Sequence, residues 1–410
     1  MGGPPARTET RSSDLNDAIR GLISWFDDTG LAGYDPYDVY DRRTVKLVRQ
    51  LEGTRWQRLW LNTHSLIQRK PQAARAILRQ RPHVNSKAVG LLLGSWVRLN
   101  KAGFPGWPTD ADELIVWLKA NAHSDYPGAS WSYPWGYQSR VYFPPGTPWG
   151  IVTAICGEAL LDYDEALGNG TARALARDAA VFIAEAIPLV RAGQGAYLTY
   201  TPIDDFAIHN ASLSMAAFLA RASQRFEVPK WGDIAEACLE FTLSEQLPDG
   251  AFDYWASHQS TWRHVDNYHT GFVLRALQQF RNLGYQSAEE PLNRGWTFYT
   301  RVFEGEDGRP RTMECQDLPI DIHGCAESIL CGAVLAMDGL SGALDLAWRA
   351  FHWTNTHLRN SDGSFGYGLF DYGVQTMAYT RWNEAWMLRA LSELAVTAGE
   401  TAAKSGQASN

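Results

Sequence analysis

The sequence predicts an all-α chain folded as a closed (α/α)6 toroid, six inner helices ringed by six outer ones. Three observations predict it. Six segments that open on polar or aromatic residues and continue as apolar, helix-period runs recur about every 60 residues. A more charged helical stretch precedes each of them, as a helix with one wet face requires. Turns of the form Gly-x-aromatic follow several of the charged stretches. Six such pairs are enough to close a ring, where an open stack of helix pairs is the alternative.

The inner segments start at Lys87 (KAVGLLLGSWVRL), Trp149 (WGIVTAICGEALL), Ile208 (IHNASLSMAAFLARA), Tyr268 (YHTGFVLRALQQF), His323 (HGCAESILCGAVLA) and Arg381 (RWNEAWMLRALSEL). They are apolar nearly all round, which predicts burial. The outer helices are predicted over 43–62, 109–121, 171–190, 231–246, 291–303 and 342–358. Asp110, with Asp112 and Glu113 behind it, gives the second of these an N-cap and an acidic first turn. Among the turns, Gly250-Ala-Phe252 and Gly363-Ser-Phe365 are the clearest, with looser forms at Gly128 and Gly195. Glycine supplies the positive φ, and the ring packs back between repeats. The connector 131–149 carries seven aromatic residues, Trp135 and Trp149 among them, and a loop that long inside a compact domain is expected to wall a site. Residues 1–13 and 399–410 are expected as disordered tails flanking one domain over 14–398.

Composition narrows the function. The chain has 410 residues, a formal charge of −8, 45% hydrophobic and 20% charged residues, which is globular rather than disordered. No basic stripe is present to meet phosphates, so a nucleic-acid partner is not expected. No run approaches the roughly 18 apolar residues of a membrane helix. The N-terminus lacks an apolar leader, and five cysteines without a CxxC pair suit a reducing compartment, so the expected location is the cytoplasm. Seventeen Trp, 17 Tyr and 16 Phe predict a large core, a ring-lined cleft, or both.

The connector Phe241-Thr-Leu-Ser-Glu-Gln246-Leu-Pro-Asp-Gly250-Ala-Phe252 resembles the QW repeats of the prenyltransferase/squalene-cyclase superfamily, and Trp353…Gly363-Ser-Phe365 keeps the spacing with Leu358 in place of Gln. The resemblance implies the toroid. The Asp-x-Asp-Asp acid motif of the cyclases is missing: Asp162-Tyr-Asp164-Glu165 comes nearest, but it is placed at the far end of an inner helix. The segments Gly33-Tyr-Asp35-Pro-Tyr37-Asp38, Asp266-Asn-Tyr-His-Thr-Gly-Phe272, Asp321-Ile-His323-Gly324 and Tyr379-Thr-Arg-Trp382 are similar to a bacterial toroid family found with exopolysaccharide and capsule genes, which implies a sugar context.

In a closed toroid the loops entering the inner helices meet at one end, so residues about 60 apart in sequence converge. The expected catalytic candidates are His269, His209, His323, Asp205, Asp266 and Asp321. The expected binding residues are Asn210, Asn267, Tyr268, Arg381, Trp382, Glu384, Trp135 and Trp149. Histidine beside Asn or Tyr suits proton abstraction next to a carboxylate; carboxyl pairs suit hydrolysis. Asp204, Asp266 and Asp321 also sit where helix N-caps belong. Asp321-x-His323-x-Cys325 alternates metal-ligating types, but acid–base chemistry without cofactor or metal is the expectation. The resulting reading is a carbohydrate-active hydrolase, lyase or epimerase acting on a sugar or oligosaccharide, uronates included. The alternatives are a terpene or prenyl cyclase with an unusual acid, and a non-catalytic toroid that binds a glycan or a protein.

Overall fold

The computed structural model describes residues 5–104 and 110–407, with side chains from 11 to 404. In chain order the helices are α1 Pro5–Thr29, α2 Arg43–Arg49, α3 Gln57–Arg69, α4 Pro71–Leu78, α5 Ser86–Lys101, α6 Ala111–Ala120, α7 Gly150–Leu167, α8 Gly170–Glu185, α9 His209–Phe226, α10 Pro229–Ser244, α11 Asn267–Asn282, α12 Glu289–Phe303, α13 Ile322–Met337, α14 Ala343–His357 and α15 Trp386–Gln407. A π-helical turn, Thr380–Ala385, leads directly into α15.

Helices α5, α7, α9, α11, α13 and α15 each pack on the next, and α15 returns to α5, so the inner ring closes. Helices α6, α8, α10, α12 and α14 each cover the inner helix before them, and α1 covers α15. One continuous apolar core runs through this double ring. The inner runs are buried on almost every side, as in Ile322–Met337, where the segment Ile322–Ala333 is buried without interruption.

Two expectations are corrected here. The stretch 43–62 is not an outer helix. Gly53, at φ +76°, sits in the turn that ends α2 and precedes α3. These two helices and α4 instead share a separate small cluster built on Val39, Val45, Trp60, Ile67 and Ala74. The sixth outer place belongs to α1, whose Leu15, Ala18, Ile19, Leu22 and Phe26 form a helical stripe buried in the main core. Most of the expected N-terminal tail is therefore helix, and α15 likewise carries helix through residues 399–407. Residues 1–4, Thr109 and 408–410 lie outside the described residues.

The Gly-x-aromatic turns hold the ring together. Gly128, Gly250 and Gly363 have positive φ, whereas Gly195 does not. Gly195 is required by proximity instead, because a Cβ there would stand 2.3 Å from the Ala237 carbonyl oxygen. Gln246 donates to the Gly250 and Pro291 carbonyls at 3.0 and 2.9 Å, tying one turn to the next outer helix. Gly250 is doubly constrained, with φ +93° and a Cβ position 2.5 Å from the Arg294 carbonyl oxygen. Gly250→Ala is expected to cost about 2 kcal/mol or more, read as a lowered midpoint in urea unfolding.

Short antiparallel ribbons precede the inner helices. Tyr137–Gln138 pairs with Tyr142–Phe143 inside the aromatic connector, and Ile320–Asp321 pairs with Gly368–Phe370. These ribbons set the rim of the funnel. No helix among the described residues is long and apolar enough to cross a membrane.

Candidate active site

The first turns of the inner helices converge as the repeat register requires. They and the connectors enclose a cavity of about 130 Å³ lined by Lys87, Ile151, Asn210, Tyr268, His269, Phe272, His323, Arg381 and Trp382, with Tyr37, Tyr133, Trp135, Tyr137, Trp149, Tyr200 and Tyr254 from the rim. Ring packs on ring along this wall: Tyr133 stacks on Trp135 at 5.6 Å, and Trp149 meets Tyr200 edge-on at 4.8 Å.

His269 is held by Asp266. One carboxylate oxygen, Oδ1, accepts the His269 backbone N–H at 2.9 Å and so caps α11; the other, Oδ2, lies 2.6 Å from the His269 ring Nδ1. A carboxylate only accepts, so Nδ1 carries the proton and Nε2 is left as the basic atom for the cavity. Burial disfavours the Asp266 charge, yet His269, the His264 ring and the capped backbone N–H outweigh it and hold the carboxyl well below its usual range. Asp266 thus caps a helix and orients the His269 imidazole with the same group.

His323 lies in the first turn of α13, buried, and neither ring nitrogen has a hydrogen-bond partner. Burial, with Lys87 and Arg381 nearby, holds this imidazole well below its ordinary pKa, so it is neutral. The Tyr268 ring contacts both histidines, at 4.2 Å from His269 and 4.7 Å from His323. Asn210 adds an unpartnered buried carbonyl oxygen. Arg381 is neutralised by a bidentate pair with Asp35, at 2.6 and 2.9 Å. Trp382 donates its indole N–H to Asp321 at 2.8 Å.

The structure does not bring every candidate into this cavity. His209 faces outward, its ring stacked on Phe241 with Nε2 3.4 Å from Glu245. Asn267 is locked between helices, accepting from Tyr299 at 2.7 Å and donating to Ser328 at 3.0 Å. Glu384 accepts the Phe365 backbone N–H, and burial lifts its carboxyl well above its usual range. The reason is that side chains of one helical turn point in different directions, about 100° apart per residue in the α-helices that carry His209 and Asn267, so of neighbours in one first turn only some face the axis; Glu384 lies in the π-helical turn and points to Phe365. Asp205 is exposed in the loop before α9, while Asp204 staples that loop through the Tyr200, Thr201 and Phe206 backbone N–H groups. Asp321 stands behind Trp382, and burial pushes its carboxyl up to about 7 against the pull of the His323 backbone N–H. Among the lining residues there is no Asp or Glu.

Lys87 escaped the sequence reading. It opens the first inner helix and lines the cavity. Burial drives its ammonium down to about 7, with Arg381 adding repulsion that Asp35 partly offsets. Its only signal was a charge at the start of a run otherwise buried on every side.

Asp321, His323 and Cys325 do not form a metal site, since Cys325 turns to Thr354 of the outer ring. Among the described residues one set of possible ligands converges, His264, Asp266 and His269, with ligand atoms within 4.8 Å. Asp266 Oδ2 is within hydrogen-bond distance of both rings there, 3.0 Å from His264 and 2.6 Å from His269.

A larger cavity, about 690 Å³, opens at the opposite end between the later turns of the inner helices. Its charges pair among themselves: Arg98 with Asp162 and Glu393, and Arg221 with Glu158, Asp162 and Glu165. The cyclase-like Asp162 is therefore an ion-pair partner far from the funnel.

By sequence the chain matches no family model and no curated protein. By structure it is similar to a sugar epimerase from a ruminal bacterium (TM-score 0.60, 14% identity, 77% of this chain and 88% of that one). It is also similar to the GH76 α-mannanase of Bacteroides thetaiotaomicron (0.59, 14%, 78% and 87%). A third is the cellobiose 2-epimerase of Bacillus thermoamylovorans (0.57, 10%, 75% and 87%). At such identities the likeness establishes the fold, and the chain is an (α/α)6 toroid.

Proposed function

We propose that the protein is a carbohydrate-active enzyme that moves a proton at a sugar carbon, an epimerase first and a β-eliminating lyase second. One observation carries this reading: an imidazole oriented by a carboxylate, His269, shares a ring-lined cavity with a second, neutral and unpartnered imidazole, His323. Epimerisation needs a base that takes a proton from one face of a carbon acid and a group that returns one to the other; Nε2 of His269 acts as the base, and the imidazolium it becomes is the source of the returned proton, with neutral His323 facing the same cavity. The Tyr268 phenol, kept neutral by burial, can donate to an enolate-like oxygen, and Asn210 Oδ1 can accept from a sugar hydroxyl. Aromatic walls suit the apolar faces of a sugar ring.

Hydrolysis by two carboxyls has less support, since the cavity wall carries none. The rings alone would suit a terpene or prenyl cyclase, but Lys87, Asn210, His269, His323 and Arg381 on so small a wall favour a hydroxylated ligand. The sugar epimerases among the structural neighbours support the choice by analogy of fold. The capsule-type sugar context implied by the sequence resemblance agrees with it.

The test is hydrogen exchange. Purified protein incubated in D2O with a panel of aldoses, uronates and uronate-containing oligosaccharides is expected to place deuterium on a carbon adjacent to the carbonyl or carboxylate, seen by NMR. Release of a reducing end with no deuterium incorporated would return the reading to hydrolysis.

A further inference from the structure

We infer that Lys87 is the carboxylate-reading residue of this cavity, and that the substrate is an anionic sugar of the uronate class. The inference rests on the proton-transfer reading above and narrows its substrate.

Lys87 is 5% exposed and lies on the same wall as His269 and His323. Its backbone N–H is capped by Asn85, but among the described residues no acceptor hydrogen-bonds its Nζ. Around the ammonium are ring faces, Trp386 at 5.2 Å and Phe272 at 5.8 Å. The other cation of the wall, Arg381, is already neutralised by Asp35. A buried ammonium without a counter-ion in contact is costly, and a lysine left so in the wall of a ligand cavity takes its counter-ion from the ligand. One unpaired cation matches one negative charge, a carboxylate rather than a phosphate dianion. The position also serves the chemistry. A carboxylate neutralised by Lys87 withdraws charge from the adjacent carbon, which makes its proton easier for an imidazole to take.

The experiment is calorimetric titration of wild type, Lys87→Met and Lys87→Arg at pH 6.5 with D-glucuronate, D-glucose and D-glucose 6-phosphate. Circular dichroism confirms that each variant is folded. Wild type is expected to bind glucuronate at least about tenfold more tightly than glucose. Lys87→Met is expected to lose that preference to within about twofold while still binding glucose, and Lys87→Arg to keep most of it. A glucuronate preference that survives in Lys87→Met, equal binding of the two sugars by wild type, a preference for the phosphate, or no binding of any probe would overturn the proposal. The D2O assay separates it from the reading beneath it. Deuterium incorporation into a neutral aldose, unchanged in Lys87→Met, sinks the role of Lys87 and leaves proton transfer standing. Lysine-dependent glucuronate binding without any exchange does the reverse.

Discussion

Replacing His269 with glutamine should lower the exchange rate by roughly 10² to 10⁴, the range removed with a general base, and leave the fold nearly as stable as before. The side chain is partly exposed, and its loss leaves Asp266 still capping α11 and still bonded to His264 at 3.0 Å. Asp266→Asn makes the informative contrast. It removes the carboxylate that fixes the imidazole tautomer but keeps a side chain that caps α11 as well as Asp does, so activity should fall while any loss of stability comes from the two imidazole contacts and not from the cap. Solvent-exchange kinetics beside thermal melts of both variants make the comparison. A His269→Gln enzyme with more than half of the wild-type rate would show that another group is the base.

Arg75→Met is expected to destabilise the protein by about 3–5 kcal/mol, the range for breaking a buried ion pair from one side. Arg75 is almost wholly buried and holds Asp38 through Nε at 3.2 Å and Nη2 at 2.7 Å, while Nη2 also donates to the Asp35 carbonyl at 2.6 Å. These bonds pin segment 33–38 to α4. The same segment supplies Tyr37 to the cavity and Asp35 to Arg381. Urea unfolding should therefore shift to lower midpoint, and catalysis should fall with it although Arg75 does not line the cavity. Arg75→Met combined with Asp38→Leu is expected to recover much of the stability, because an apolar pair replaces a stranded carboxylate. Equal stability of Arg75→Met and wild type would show that the pair does not anchor this segment.

The ring of helices was legible because each inner run is apolar on all sides and recurs at a steady interval; Ile322–Met337 could be nothing but an interior helix. The first repeat was not. The stretch 43–62 has helical periodicity broken by the turn at Gly53, and the polar start of α1 hid an apolar stripe from Leu15 to Phe26 that takes the outer place. In the site, sequence register found the right turns but could not say which residue of each turn faces the axis. It placed His269, His323 and Asn210 on the wall, and it also placed His209, Asn267 and Glu384 there, where helical rotation sends them outward. The acids were the hardest to assign, since a cap and a catalyst occupy the same position, and Asp266 is a cap that also grips a base. Lys87 was hidden by its own unremarkable company, a lysine at a helix start being ordinary on a surface and unusual only once burial is known.

The two cavities of the toroid share two lining residues, Ile151 and Phe272. The side chains of Ile151 and Phe272 thus stand at the waist of the toroid, bordering a cavity on either side. The charged chamber beyond is a neighbouring room behind a thin partition, and the Phe272 ring is part of both walls.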